Sequence, residues 1–352
     1  LSRRVDRGRM TEGQKADVLG MILATDRDAD LQGCDLIVEA VFENIDIKHG
    51  ITRSSERYLA EGGVWGSNTS TLPITQLAEA SSKPENFIGI HFFSPVDKMP
   101  LVEIICGEKT SDLALAQAFD FARQIRKTPI VVNDSLRFYT SRTFGTFLDE
   151  GVRMLSEGVH PVRIDNLGKA VGMPVGPLAV YDEVSLELTR KAQETWRDMG
   201  VLDKWGDGSV SREIIEHMVV EEGRGGRHHG GGFYEYGADG GKRIWTPLLE
   251  RYYREDFEIS DDDIKDRLLF RQVIEALKCL ESGVLRSVAD GNIGSIMGIG
   301  APTWTGGLIQ FVNGYGLEAF VARCNELAAA YGERFEPPAI ALEHARSGEA
   351  FR

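Results

Sequence analysis

Gly89-Ile90-His91-Phe92-Phe93-Ser94-Pro95-Val96-Asp97-Lys98-Met99-Pro100-Leu101-Val102-Glu103-Ile104-Ile105 decides how this chain is read. Two apolar runs of strand length flank a turn at Ser94-Pro95. The first run carries a histidine and the second a single carboxylate. Polar atoms in such runs need partners once buried, and His91 and Glu103 are natural partners for each other. A neutral imidazole held by a carboxylate accepts a proton near neutral pH, so His91 is a candidate general base. On these residues alone two other readings stand: a satisfied core histidine, and a sheet glutamate paired with any cation.

Working outward, residues 35–41 read as a short buried strand and 45–60 as an amphipathic helix. Residues 64–67 make a second strand, 74–80 a helix, 87–92 and 101–105 two further strands, 114–126 a helix and 129–132 another strand. Strands alternating with helices imply an α/β domain around a mostly parallel sheet. After Asn133 the strand signals nearly vanish. Residues 138–155, 161–171, 177–199 and 210–220 read as helices, then a glycine-rich loop spans 221–233 and further helix runs from about 262 onward. The expected organisation is an α/β domain over 1–134, a first helical part over 135–245 and a second over 246–352.

At 352 residues more than one domain is expected. Hydrophobic content of 42% and charged content of 27% are those of a globular protein. A net charge of -14 argues against nucleic acid as the main partner. Cys34, Cys106, Cys279 and Cys324 are scattered and form no C-x-x-C pair, so neither a metal site nor a disulfide framework is expected, and a reducing cytoplasm fits. His228 and His229 lack a third ligand at useful spacing. No apolar run approaches the roughly 18–20 residues needed to span a bilayer, and Leu1-Ser2-Arg3-Arg4 opens no signal peptide.

A dinucleotide-binding domain normally opens with a strand, a G-x-G-x-x-G turn and a helix whose N-terminus holds the pyrophosphate. No such motif precedes Asp35, and the loop near Gly225 neither follows a strand nor opens a helix. The first strand-helix-strand unit of such a domain is therefore expected to lie outside these residues, with the chain beginning in mid-domain.

Several blocks in order resemble the 3-hydroxyacyl-CoA dehydrogenases, more narrowly the dehydrogenase part of bacterial multifunctional fatty-acid oxidation α-subunits. They are Val38-Glu39-Ala40-Val41-Phe42-Glu43-Asn44, Ser67-Asn68-Thr69-Ser70-Thr71-Leu72-Pro73-Ile74, the 89–105 stretch, Lys127-Thr128-Pro129-Ile130-Val131-Val132-Asn133-Asp134, Gly172-Met173-Pro174-Val175-Gly176-Pro177 and Gly232-Phe233-Tyr234-Glu235-Tyr236. The resemblance implies a partial Rossmann-like domain followed by a two-part helical domain. It implies NAD as cofactor and oxidation of a 3-hydroxyacyl-CoA in fatty-acid β-oxidation. His91 is then the base and Glu103 its orienting partner, while Ser70 contacts substrate and nicotinamide. Glu43 and Lys48, with the backbone of Val41 and Phe42, meet the cofactor. Glu43 could instead cap the following helix, Lys48 could be surface charge, and Ser70 could cap the helix after it. The apolar stripes of the helical domain are expected to form core and a homodimer interface, and a thiolase subunit is a further expected partner.

Ser94 stands where the family commonly has asparagine, and a hydroxyl has shorter reach than an amide. Asp134-Ser135-Leu136-Arg137-Phe138-Tyr139-Thr140-Ser141-Arg142 stands where the family reads Asp-x-Pro-Gly-Phe-x-x-Asn-Arg. The Pro-Gly turn is lost and the substrate-contacting asparagine becomes Ser141. Both serines read as a subfamily trait, Ser94 toward the cofactor and Ser141 toward the substrate. Ser2 and Arg9, in a basic opening segment, match by spacing positions that contact CoA; a solvated helix face is the alternative. Against the dehydrogenase reading stands a second one: a truncated, non-catalytic fragment that binds acyl-CoA or dimerises without turnover.

Overall fold

The computed structural model describes residues 1–202, 208–237 and 240–352. Two short helices, α1 (Ser2–Asp6) and α2 (Glu12–Gly20), precede the sheet. Then follow β1 (Cys34–Glu39), α3 (Ile45–Ser55), β2 (Leu59–Ser67), α4 (Ile74–Leu77), β3 (Phe87–Phe92), β4 (Leu101–Cys106), α5 (Asp112–Gln124) and β5 (Thr128–Asn133). The strands lie in chain order, with β1–β2–β3 parallel, β4 antiparallel to β3, and β5 parallel to β4. Helical crossovers make the parallel pairs, and the Ser94-Pro95 turn makes the antiparallel one.

Strand alternation divides the sheet into two faces. Val64, Ile88, Ile90, Val102 and Ile104 pack against Ala114, Ala118 and Ala122 of α5. Trp65, Phe87, Leu101, Ile105, Ile130 and Val132 point the other way, into the core shared with the helical region. The period of two puts His91 with Phe87, and Glu103 with Leu101 and Ile105, on that helix-covered face.

The helical region runs α6 (Thr140–Glu157), α7 (Pro161–Ala170), α8 (Pro177–Val184), α9 (Leu186–Asp198), α10 (Ser209–Glu216), then α11 (Thr246–Tyr252), α12 (Asp261–Glu281), α13 (Val288–Ile299), α14 (Leu308–Tyr315), α15 (Leu317–Tyr331) and α16 (Ala339–Ser347). Helix α13 lies against β4 and β5. The approach is close: a Cβ at Gly294 would stand 2.7 Å from the Ile130 side chain, and one at Gly298 2.6 Å from that of Leu101. The Tyr139 hydroxyl donates to the Gly291 carbonyl at 2.7 Å. Farther along α6, Glu150 accepts from Arg267 of α12 and from Arg334 at 2.7 Å each. Burial alone would raise the Glu150 carboxyl, but the Arg334 hydrogen bond and the charges of Arg267, Arg334 and Arg271 outweigh it and hold its pKa at about 2.

Four local expectations need correction. The helix expected over 45–60 ends at Ser55, and β2 begins at Leu59 rather than Val64. Gly62-Gly63 looks like a breaker, yet the strand passes through it with a register shift against β1. The helix expected over 177–199 is two, because Ser185 takes φ +79, caps α9 at the Leu188 N–H and donates to the Gly225 carbonyl. A hairpin, β6 (Tyr234–Tyr236) with β7 (Lys242–Ile244), interrupts the region expected to be all helix. It is held by buried Asp182, which accepts from the N–H groups of Phe233 and Tyr234 and from the Tyr236 hydroxyl at 2.8–2.9 Å. Burial pushes this carboxyl up to about 6.

Candidate active site

His91 and Glu103 face each other in register across β3 and β4. His91 Nδ1 lies 3.0 Å from Glu103 Oε2, with the residues 5% and 0% exposed. A carboxylate only accepts, so the ring proton sits on Nδ1 and Nε2 is left as the accepting nitrogen. The ring packs against Phe93 at 4.5 Å and Phe138 at 6.3 Å between centroids. Glu103 is held in turn by α6. Its Oε1 accepts the N–H groups of Tyr139 (3.2 Å) and Thr140 (3.1 Å), and its Oε2 the Thr140 hydroxyl at 2.6 Å. The carboxylate thus caps a helix N-terminus, where orphan N–H groups and the helix dipole favour negative charge. Thr140 was not among the sequence candidates. It lies 37 positions from Glu103, and no local pattern links the two.

A second cluster sits at the carboxyl ends of β1 and β2. Lys48, 2% exposed, reaches both oxygens of Glu39 at 3.0 and 3.1 Å, the Val41 carbonyl at 3.4 Å, and Glu43 at 3.5 Å. Glu39 also accepts from the Ser67 hydroxyl and from the Val41 N–H at 3.1 Å. Lys48 is therefore a buried cation rather than surface charge. Glu43 caps no helix: Asn44 takes that role, accepting from the Ile47 N–H. Glu43 Oε1 instead gathers the Ser70 and Thr71 N–H groups at 3.0 Å and the Thr69 hydroxyl at 2.6 Å. It fixes the loop that presents Ser70, which is exposed and caps nothing. Asn68 ties the same loop to β3 by accepting the Phe92 N–H at 2.8 Å. Glu39 and Asn68 lay within the quoted motifs without an assigned role; a carboxylate ending an apolar strand was the available signal.

Comparisons with known proteins place the chain in a family. Residues 1–135 match the family model described as 3-hydroxyacyl-CoA dehydrogenase, NAD binding domain, and residues 138–236 that of the C-terminal domain. Among solved structures, the (S)-3-hydroxybutyryl-CoA dehydrogenase of Ralstonia eutropha is 33% identical over 64% of this chain and 81% of that one, with a TM-score of 0.58. This chain belongs to the 3-hydroxyacyl-CoA dehydrogenase family.

The fold extends further than the family models. The 3-hydroxybutyryl-CoA dehydrogenase of Escherichia coli superposes over 99% of this chain and 89% of its own with a TM-score of 0.79, at 20% identity. Among curated relatives, the fatty acid oxidation complex subunit alpha of Shewanella amazonensis is 36% identical over 100% of this chain. That of Shewanella loihica is 35% identical, also over 100%. The chain spans about half the length (49%) of these relatives.

The remaining candidates of this family member divide. Phe42 lies 83% exposed beside Val41, whose N–H and carbonyl are taken by Glu39 and Lys48. Ser94 is exposed in the β3–β4 turn, and Ser141 is half-buried, one residue beyond Thr140. Ser2 and Arg9 are exposed on the opening segment, whose hydrogen bonds, among the described residues, stay within it. The structure brings neither of them to the catalytic pair. The donor set at the strand ends fits the nicotinamide half of NAD, with Ser70 exposed, a carboxylate and buried cation fixing the backbone beside it, and Phe42 as an apolar surface.

Proposed function

We propose that this chain carries the dehydrogenase step of fatty-acid β-oxidation, in which a (3S)-3-hydroxyacyl-CoA becomes a 3-oxoacyl-CoA at the expense of NAD. The observation that supports it most is the buried His91–Glu103 pair at the α6 N-terminus. NAD, when bound, supplies the acceptor for the hydride leaving C3. His91 Nε2 takes the proton of the 3-hydroxyl. Glu103 holds Nδ1–H, fixes the ring, and offsets the positive charge that forms on it. Four donors fill the Glu103 oxygens, so it serves as counter-charge and not as a proton acceptor. Thr140 orients Glu103, and the backbone of 70–71, held by Glu43, presents Ser70 to nicotinamide and substrate. Lys48 and Glu39 order the strand ends under the cofactor, with the Val41 and Phe42 backbone at its edge. Ser94 lies toward the cofactor and Ser141 toward the acyl group, while Ser2 and Arg9 would reach only the CoA phosphates.

The chain divides, in this reading, into 1–134 for cofactor and base, 135–245 for the first helical part and 246–352 for the second. A homodimer through the helical region and a thiolase partner agree with relatives that are subunits of a fatty acid oxidation complex. No helix of the described residues is long and apolar enough to cross a membrane, and a cytoplasmic site of action is part of the proposal.

NADH formation from a 3-hydroxyacyl-CoA tests this. It should be measured for these 352 residues and for a version extended N-terminally by a glycine-rich strand-helix unit, each beside His91→Gln. The extended protein should turn over, the 352 residues alone weakly or not at all, and His91→Gln should lower kcat by about 10²–10⁴. Equal rates for the extended protein and its His91→Gln variant would overturn the assignment of the base. An inactive extended protein that still binds acyl-CoA would favour the non-catalytic reading.

A further inference from the structure

The turn that delivers α6 to Glu103 is built against the usual backbone rules. Arg137 takes φ +63 and Phe138 φ +49, two consecutive side-chain-bearing residues in the left-handed region. Such residues are strained and persist only where surrounding contacts over-determine them. Three sets of contacts converge on Arg137. Its N–H donates to the Thr71 carbonyl at 3.0 Å, joining the turn to the loop that carries Ser70. Its Nη2 donates to the Ser141 carbonyl at 3.1 Å, and its guanidinium lies over the Trp196 ring at 5.1 Å. The side chain occupies a notch in α6 that exists only because residue 145 is glycine: a Cβ there would stand 1.9 Å from Nη2. Asp149, one turn farther along α6, supplies the opposing charge.

These contacts bracket the site. Immediately after the turn come the Tyr139 and Thr140 N–H groups and the Thr140 hydroxyl, three of the four donors on Glu103. Immediately across it lies the loop of Ser70. A flexible turn would let both drift, and an ångström of misplacement is enough to cost a large factor in rate.

We infer that Arg137 is a positioning residue for the dehydrogenase reaction: its side chain, clamped between α6 and Trp196, locks the left-handed 137–138 turn that sets Thr140 on Glu103 and the Ser70 loop beside it. It does by side-chain anchorage what a Pro-Gly pair at 136–137 would do by backbone preference. The inference rests on the catalytic reading of His91 and Glu103.

The test uses the protein with the N-terminal glycine-rich extension described above, carrying in turn Arg137→Ala, Arg137→Gly, the double variant Leu136→Pro/Arg137→Gly, and His91→Gln. Both single variants at 137 should lower kcat about tenfold or more, with KM for NAD changed less than threefold. The acid limb of kcat/KM against pH should move upward, because a Glu103 that has lost donors holds the imidazolium more strongly. Amide exchange should rise at 137–141 and stay unchanged in β3 and β4. The double variant should recover most of the rate and the original pH profile, since glycine accepts the left-handed turn and proline stiffens it. Unchanged kcat and pH profile in Arg137→Gly, with faster exchange at 137–141, would overturn the inference and make Arg137 merely structural. A double variant as slow as Arg137→Gly would also overturn it, because the guanidinium would then act other than through the turn. If Arg137→Ala unfolds, Arg137→Gly and the double variant decide alone. Full activity in His91→Gln would instead reject the underlying catalytic reading, whatever the variants at 137 do.

Discussion

Replacing Glu103 by glutamine changes one atom and separates orientation from bulk. The amide oxygen can keep the Tyr139 and Thr140 N–H groups, now at 3.2 and 3.1 Å. The amide nitrogen then stands where Oε2 accepts His91 Nδ1 at 3.0 Å and the Thr140 hydroxyl at 2.6 Å. An NH2 group facing an Nδ1–H is a clash of donors, and the ring relieves it by moving its proton to Nε2. That is the nitrogen the substrate hydroxyl needs as acceptor, so the base is lost while the fold is kept. The rate contribution at stake is about 10²–10⁴, or about 2.7–5.4 kcal/mol at 1.36 kcal/mol per tenfold. The structural loss is smaller: one charged acceptor at the α6 N-terminus, about 1–2 kcal/mol. Initial rates of NADH formation at saturating NAD, alongside a thermal melt, separate the two. The expected result is a kcat reduced at least a hundredfold, with melting only a few degrees lower. A kcat within threefold of wild type in a folded Glu103→Gln protein would refute the role given to Glu103.

Other outcomes follow from the same contacts. Lys48→Met strands the buried Glu39 carboxylate and should destabilise the protein by about 3–5 kcal/mol; the Lys48→Met/Glu39→Gln double variant should recover much of that in chemical denaturation, and a double no better than the single would contradict the pairing. Asp182, raised from an ordinary 3.8 to about 6 by burial, keeps in the folded state a proton that the unfolded chain releases. Its contribution should therefore fall as pH rises through that window, by about 3 kcal/mol at most. Melting curves of wild type and Asp182→Asn across it should show a flatter dependence in the variant. Glu150 has the opposite sign. Held at about 2, below its ordinary 4.5, it stabilises fully above the ordinary value and loses that contribution as pH falls toward 2. Glu150→Gln removes the anion that Arg267 and Arg334 share, while Arg267 keeps Glu157; it should cost about 1–3 kcal/mol near neutrality, and a melting temperature unchanged at neutral pH would count against it.

What could be read before the structure was whatever repeats or pairs at short range. The strand alternation around 89–105 set the sheet face of His91, and register across the turn brought Glu103 opposite it. Ser185 shows the converse. It breaks a helix whose one proline, Pro177, sits harmlessly in the first turn, and its reason is a carbonyl 40 positions away. Thr140 and Glu39 act through partners 37 and 9 positions off, by hydrogen bonds that leave no periodic trace. The alternative of Glu43 as a helix cap fails because its neighbour Asn44 is the better capping residue and takes that place. The hairpin after the glycine-rich loop was lost because three-residue strands are too short for alternation to register.

Helix α13 covers the face that bears the catalytic pair, yet it is encoded at 288–299, about 185 residues after Glu103. At a synthesis rate of roughly 5–20 residues per second, the ribosome needs about 10–40 s to cross that interval. Throughout it, Leu101, Ile105, Ile130 and Val132 have only part of their final cover, and the Tyr139 hydroxyl waits for the Gly291 carbonyl. The nascent chain thus carries its whole proton-transfer chemistry early and its seal late. The sheet face waits tens of seconds for its last covering helix.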